Sequence, residues 1–248
     1  MAGTPLQIVV GLGNPGPEHR LTRHNAGFWF VDALAYRHGV QFRAHARYQG
    51  EIAKVVVEGT ELVLLKPQTY MNRSGLSIRA LMDYIKAPVS AVLVVHDDLD
   101  LPCGVARLKL GGGHGGHNGL RDAITHCGAD FWRLRLGVGH PGDKSQVIDY
   151  VLQRARPAEE NAIVDAIDTG LDALSLLLRD GVNTPMIYND AGLSATMIGD
   201  LDFDAVALLI EAGANVPEIY NYNGIIATVA GESGGAYGIL DQSGNVTL

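Results

Sequence analysis

Leu6-Gln7-Ile8-Val9-Val10-Gly11-Leu12-Gly13-Asn14-Pro15-Gly16 is the stretch on which the fold turns, an apolar run breaking into a glycine- and proline-rich loop. Branched residues over 6–10 predict a buried strand, and the turn at a strand's carboxyl end is where α/β folds build sites. Residues 11–16 spell G-x-G-x-x-G, so a dinucleotide-binding enzyme has to be weighed. That fingerprint needs a helix opening within the glycines, its N-terminus meeting a pyrophosphate. Here Pro15, Pro17 and the polar residues 18–23 delay the helix. Asp32, the acid about 20 residues on, falls inside that helix rather than at the end of a second strand. The context favours a turn that presents the Asn14 amide.

Outward from this turn, strand-like and helix-like stretches alternate. A helix is predicted from about Arg23 to His38, with Thr22 as N-cap and Phe28, Val31, Leu34 and Ala35 facing inward. Residues 49–57 and 61–66 flank Glu58-Gly59-Thr60, a hairpin signature, so the sheet is mixed. A helix from about Ser74 to Ile85 precedes an apolar strand at 91–95. Strands follow at 105–110 and 132–138, separated by the loop Gly111 to Gly119 and a short helix that Asn118 could cap. Pro157 suits the first turn of a last helix that runs to about Arg179 and stops at Gly181. The fold expected is α/β, a mixed twisted sheet flanked by helices in three layers, occupying residues 1–190.

Composition bounds the function. A 248-residue chain with 47% hydrophobic and 19% charged residues can bury a sizeable core. No stretch approaches the ~18 continuous apolar residues of a membrane span, and Cys103 and Cys127 form no close pair, so a cytoplasmic protein is expected. The net charge of -8 is unevenly spread. Residues 191–248 contain no Lys, Arg or His but seven acids, Asp200, Asp202, Asp204, Glu211, Glu218, Glu232 and Asp241. The remainder is nearly balanced and permits a basic face.

Four further stretches carry chemistry. His24 sits in Thr22-Arg23-His24-Asn25-Ala26-Gly27. His96-Asp97-Asp98-Leu99-Asp100 follows the most apolar strand, so Asp97 emerges from a buried scaffold, whereas Asp98 and Asp100 are expected to be solvated; the acids are too closely spaced for a calcium loop. Gly111-Gly112-Gly113-His114-Gly115-Gly116-His117-Asn118-Gly119 is dense enough in glycine to imply close backbone approach to a ligand or a mobile loop. His114 and His117 could ligate zinc, but no HExxH helix or cysteine pair accompanies them, and no metal is expected. A third asparagine, Asn72, lies beside Met71 in Lys66-Pro67-Gln68-Thr69-Tyr70-Met71-Asn72-Arg73-Ser74-Gly75.

Taken in order, residues 11–16, 22–27, 66–75, 96–104, 109–121 and 133–142 closely resemble the motifs of the bacterial peptidyl-tRNA hydrolase family, over about residues 6–185. The resemblance implies hydrolysis of the ester joining peptide to tRNA, in a cleft at the sheet edge, by a monomer without cofactor. Imidazole is the side chain best poised to take a proton from water at neutral pH, which makes His24 the expected general base. Asp97, by analogy with the family, orients the ring and stabilises its charged form. Asn14 is expected to hold the water or reacting carbonyl, Asn72 to position substrate, and Asn118 to meet the peptide or terminal adenosine, with interchange among them allowed. Met71, His19 and His117 are expected on the substrate side, Met71 with an alternative place in the core. Two departures stand out: His19 replaces a more usual Tyr on the rim, and Asp98 a more usual Glu.

For tRNA, Arg107, Lys109, Arg133, Arg135 and Lys144 surround the glycine loop, with Arg133 and Arg135 on one strand face. A non-catalytic RNA-binding module would keep these bases but have no use for His24 near Asp97. Nothing after Ala191 matches the family. Residues 205–216 instead resemble the second helix and turn of an ankyrin repeat, and Leu209 and Gly213 recur as Leu240 and Gly244. An acidic accessory extension is expected over 191–248.

Overall fold

The computed structural model describes residues 5–180 and, beyond them, six strands between residues 186 and 241. Two compact units result, residues 3–179 and 180–248. The first begins with β1 (Ile8–Gly11), a 3-10 turn at Arg23–Asn25 and α1 (Ala26–Arg37). Then come β2 (Arg43–His45), β3 (Gly50–Val57), β4 (Thr60–Pro67) and α2 (Ser74–Ile85). β5 (Val92–Asp98), β6 (Ala106–Leu110), α3 (Asn118–Cys127), β7 (Trp132–Gly137), α4 (Val147–Val151) and α5 (Pro157–Asp180) complete it.

The seven strands form one sheet in the order β2-β3-β4-β1-β5-β7-β6. β4, β1, β5 and β7 are parallel, while β2 and β3 at one side and β6 at the other run antiparallel to their neighbours. The β3–β4 hairpin turns at Glu58 and Gly59, both at positive φ, which suits the right-handed twist of the paired strands. Strand alternation then sorts the core into two layers. Val9, Leu93, Val95, Leu134 and Leu136 pack with Phe30 and Val31 of α1 and Ile163 and Ile167 of α5. Ile8, Val10, Val92 and Val94 pack with Ile78 and Leu81 of α2 and Leu120 and Ala123 of α3. Helices therefore cover both faces, as the sequence predicts.

The first turn is used for packing. A Cβ on Gly11 would lie 2.2 Å from the Gly27 carbonyl oxygen, and one on Gly27 would lie 2.4 Å from the Val95 carbonyl oxygen. The two glycines let α1 cross β1 and β5 at backbone contact, and α1 opens only at Ala26. α1 opens at Ala26 and not within the glycines of residues 11–16, so the dinucleotide reading lacks the helix start that it needs. Two local expectations change. Thr22 caps nothing: its hydroxyl donates to the His19 carbonyl at 2.8 Å, and the chain enters α1 through the 3-10 turn. The N-cap of α3 is His117 rather than Asn118, its ring accepting from the Gly119 and Leu120 amides.

The second unit holds β8 (Met186–Asn189), β9 (Leu193–Ile198), β10 (Ala205–Ile210), β11 (Glu218–Asn221), β12 (Ile225–Ala230) and β13 (Ala236–Asp241). They pair in parallel as β8 with β11, β9 with β12 and β10 with β13. The ankyrin-like helix expected from Ala205 is thus a strand over its described part. An unbroken run of six apolar residues has no polar face to distinguish a helix from a buried strand. The recurrence of Leu209 as Leu240 is a strand register, the two residues being direct partners; Gly213 and Gly244 lie outside the described residues.

Candidate active site

At the carboxyl ends of β1, β4 and β5 a cleft of about 910 Å³ is lined by Asn14, His24, Met71, Asn72, Asp97, His117 and Asn118. Five chain segments supply these residues. The loop after β1 supplies Asn14, the 3-10 turn His24, the turn after β4 Met71 and Asn72, the end of β5 Asp97, and the start of α3 His117 and Asn118.

Asp97 is the centre of the arrangement. It is 3% exposed, and both of its carboxylate oxygens stand 2.9 Å from His24 Nδ1. His117 Nε2 stands 2.9 Å from Asp97 Oδ1. Burial alone would raise the Asp97 pKa, but the charges of His24 and His117 and the hydrogen bonds from both rings hold it well below the usual carboxylate range. Asp97 is therefore an anion and accepts only, which fixes both tautomers. His24 carries its proton on Nδ1 and leaves Nε2 as a free lone pair. His117 donates from Nε2 while its Nδ1 accepts from the Gly119 and Leu120 amides at 3.1 and 3.3 Å. The His24 pKa is raised above 6.5: burial lowers it, and the Asp97 charge and hydrogen bond more than offset the burial.

Two residues that sequence reasoning passed over brace this centre. His96, 2% exposed, donates from Nδ1 to the Asp97 carbonyl at 2.7 Å, and burial beside His117 pushes its pKa down to about 4. Asn25 clamps Asn14, its Nδ2 donating to the Asn14 carbonyl and its Oδ1 accepting the Asn14 amide, both at 2.9 Å. The Asn14 side-chain oxygen accepts the Met71 amide at 2.8 Å. With that oxygen committed, the amide turns its Nδ2 donor outward. The adjacency of Asn25 to His24 was the one available signal.

Other expected site residues divide. Asn72 and Asn118 are exposed at the cleft, and Asn118 Oδ1 accepts from Arg121 at 3.0 Å. Met71 is both core and cleft, 4% exposed and packed in the α2–α3 layer. His19 is not at the cleft: it sits in the turn before α1, its Nε2 3.7 Å from Glu18 Oε1. Lys109, Arg133, Arg135 and Lys144 border the cleft, but Arg107 does not. Arg133 is buried, and its guanidinium donates to the Gly112 and Gly113 carbonyls, so it braces the glycine loop instead of facing solvent. Arg135 Nε binds Asp98 Oδ2 at 2.7 Å, which overturns the expectation that Asp98 is solvated. Lys109 is exposed, lies beside Gly112 and pairs across the ladder with Arg133, as Arg107 does with Arg135. Like charges directly opposite one another cost stability, and here the Arg133 bonds to the loop carbonyls and the Arg135–Asp98 pair offset that cost.

The ligand atoms of His24, Asp97 and His117 lie within 4.8 Å of one another. A metal ion there would have to displace both imidazole N–H groups from Asp97.

The mixed sheet and the cleft at its strand ends, with a buried aspartate–histidine pair beside neutral amides, match a class of hydrolases. The chain belongs to the peptidyl-tRNA hydrolase family, whose model matches residues 8–192. It is 51% identical over 188 residues to the peptidyl-tRNA hydrolase of Polynucleobacter necessarius subsp. necessarius, covering 73% of this chain and 96% of that one. The Azotobacter vinelandii enzyme is 52% identical over 177 residues, 71% and 91% of the two chains. The crystal structure of the Acinetobacter baumannii enzyme superposes with a TM-score of 0.69 at 46% identity, covering 71% of this chain and 89% of that one.

Proposed function

We propose that His24 and Asp97 hydrolyse the ester between a peptide and the 3′ end of tRNA by direct attack of water. The observation that carries this is the pair of 2.9 Å contacts from His24 Nδ1 to Asp97, which leave Nε2 as the base. Water attacks the ester carbonyl and gives its proton to Nε2, and Asp97 stabilises the imidazolium that forms. Asn14 Nδ2 donates to the oxyanion of the tetrahedral intermediate. Collapse breaks the bond to the ribose 3′-oxygen, which takes the proton back from His24; the products are a peptide carboxylate and free tRNA. Water in place of a side-chain nucleophile agrees with the lining of the cleft, which holds no Ser, Thr or Cys among the described residues.

Asn72 and Asn118 hold peptide and terminal nucleotide, and His117 positions Asp97. Lys109 and Lys144 at the cleft, with Arg107 and Arg135 on the neighbouring ladder, meet the tRNA phosphates. All of these residues come from one chain, so a monomer suffices, and no metal or cofactor enters the sequence of steps. No described helix is long and apolar enough to cross a membrane. The separated cysteines and a substrate made in translation favour the cytoplasm. Single-turnover hydrolysis of an N-blocked aminoacyl-tRNA in ¹⁸O water tests the chemistry. Label in the released carboxylate, lost in His24→Ala, is expected; a covalent acyl-enzyme would overturn it.

A further inference from the structure

Arg23 is 4% exposed and stands next to His24, yet its side chain turns away from Asp97 toward the end of α4. Nη1 donates to the carbonyls of Tyr150, Gln153 and Arg154 at 3.0, 3.3 and 3.2 Å, and Nη2 binds Glu159 Oε2 at 2.6 Å. The guanidinium carbon lies 4.0 Å over the Tyr150 ring. The backbone joins in: the Arg23 amide donates to the Gln153 carbonyl at 3.2 Å, and Thr22 forms an antiparallel bridge with Arg154.

α4 needs such help. It has five residues, too few to persist on intrinsic helix stability, and its last turn is closed from outside it, the Leu152 amide donating to the Ile148 carbonyl at 3.2 Å and the Gln153 amide to the Tyr150 carbonyl at 3.3 Å. It also forms an apolar wall of the cleft through Val147, Ile148, Val151 and the following Leu152, with Ile148 70% exposed. We propose that Arg23 is a positioning residue for substrate binding, pinning the last turn of α4 so that this wall stands at a fixed distance from the turn that carries His24. A planar, permanently charged fork reaches three carbonyls from one nitrogen and a carboxylate from the other, whereas an ammonium has three donors on a single nitrogen for these four acceptors. His24 is held independently by Asp97, so loosening α4 moves the wall and leaves the base in place.

The role rests on the hydrolase reading and is tested with the full chain as Arg23→Lys and Glu159→Gln. Because the wall contacts ground state and transition state alike, KM for peptidyl-tRNA is expected to rise about tenfold in Arg23→Lys, with kcat and its acid limb unchanged. Hydrogen exchange over residues 147–154, measured without substrate, is expected to quicken in both variants. A fall in kcat at unchanged KM, or folded variants with wild-type KM and exchange, overturns the proposal. Should Arg23→Lys fail to fold, Glu159→Gln and its exchange carry the test. Wild-type protein inert toward peptidyl-tRNA would sink the hydrolase reading alone, because exchange still reports on the tether.

Discussion

Both units of the chain are built on strands, but among the described residues only the first brings ionisable side chains from distant segments together. In residues 3–179 the strands come in a mixed, non-repeating order, and their carboxyl ends bring together His24, Asp97 and His117 from distant parts of the chain. In residues 180–248 the described strands pair in parallel at offsets of 31 or 32 residues, Met186 with Glu218, Leu193 with Ile225 and Ala205 with Ala236. Every Lys, Arg and His lies at or before Arg179. Convergence on one carboxylate needs loops that differ from one another, and phosphate binding needs cations. Residues 180–248 hold no cation, so substitutions in the first unit should outweigh loss of the second.

The largest expected effect is His24→Ala. Removing a positioned general base should lower kcat by ~10²-fold or more and leave tRNA affinity nearly intact. Steady-state kinetics beside a tRNA binding assay checks this, and near-normal turnover would put the chemistry elsewhere. Asp97→Asn should cost less, about tenfold or more in kcat, and should also move the pH profile. In the wild type, burial lowers the His24 pKa and Asp97 outweighs it. With Asp97 neutralised, burial acts alone, so the acid limb of kcat should shift to lower pH. A shift to higher pH would mean that the limb belongs to another group.

Lys109→Ala comes next, expected to weaken peptidyl-tRNA binding several-fold and to reduce the slope of log affinity against log salt by about one. Cleavage of a minimal ester should be spared. Arg133→Ala should differ in kind, because it frees the Gly112 and Gly113 carbonyls. Its loss should appear on both substrates.

How far the sequence reveals this depends on the kind of information each feature needs. The hairpin at Glu58-Gly59 and the helix Ser74–Ile85 are local patterns of turn residues and apolar spacing, and both appear where expected. Asp97 stood out because a carboxylate so soon after the apolar run at 91–95 has few bland explanations. Arg133 misled because alternation gives a residue's face but not what covers it. The cap at His117 was hidden because an imidazole is not among the usual capping side chains. Arg23 and Asn25 flank His24, yet their partners are carbonyls and amides brought near only by the fold.

The smallest effect should come from removing the second unit. Nine acids and no base over residues 180–248 make it repellent to tRNA, and none of the residues bordering the cleft lies beyond Leu152 among those described. We therefore propose an accessory role in stability or in binding another protein. Chain truncated after Asn189 would retain Met186–Asn189 without its partner β11, leaving only that short strand unpaired. Hydrolysis by the truncated chain should match the full chain within about twofold in kcat/KM, since a change that small lies below the loss of a single hydrogen bond. Thermal unfolding measured beside it separates the two accessory roles: a lowered Tm at unchanged kcat/KM assigns the unit to stability, and an unchanged Tm leaves partner binding. A large loss of kcat in a truncated chain that still unfolds cooperatively would mean that the repeating unit takes part in catalysis, and the contrast between the units would fail.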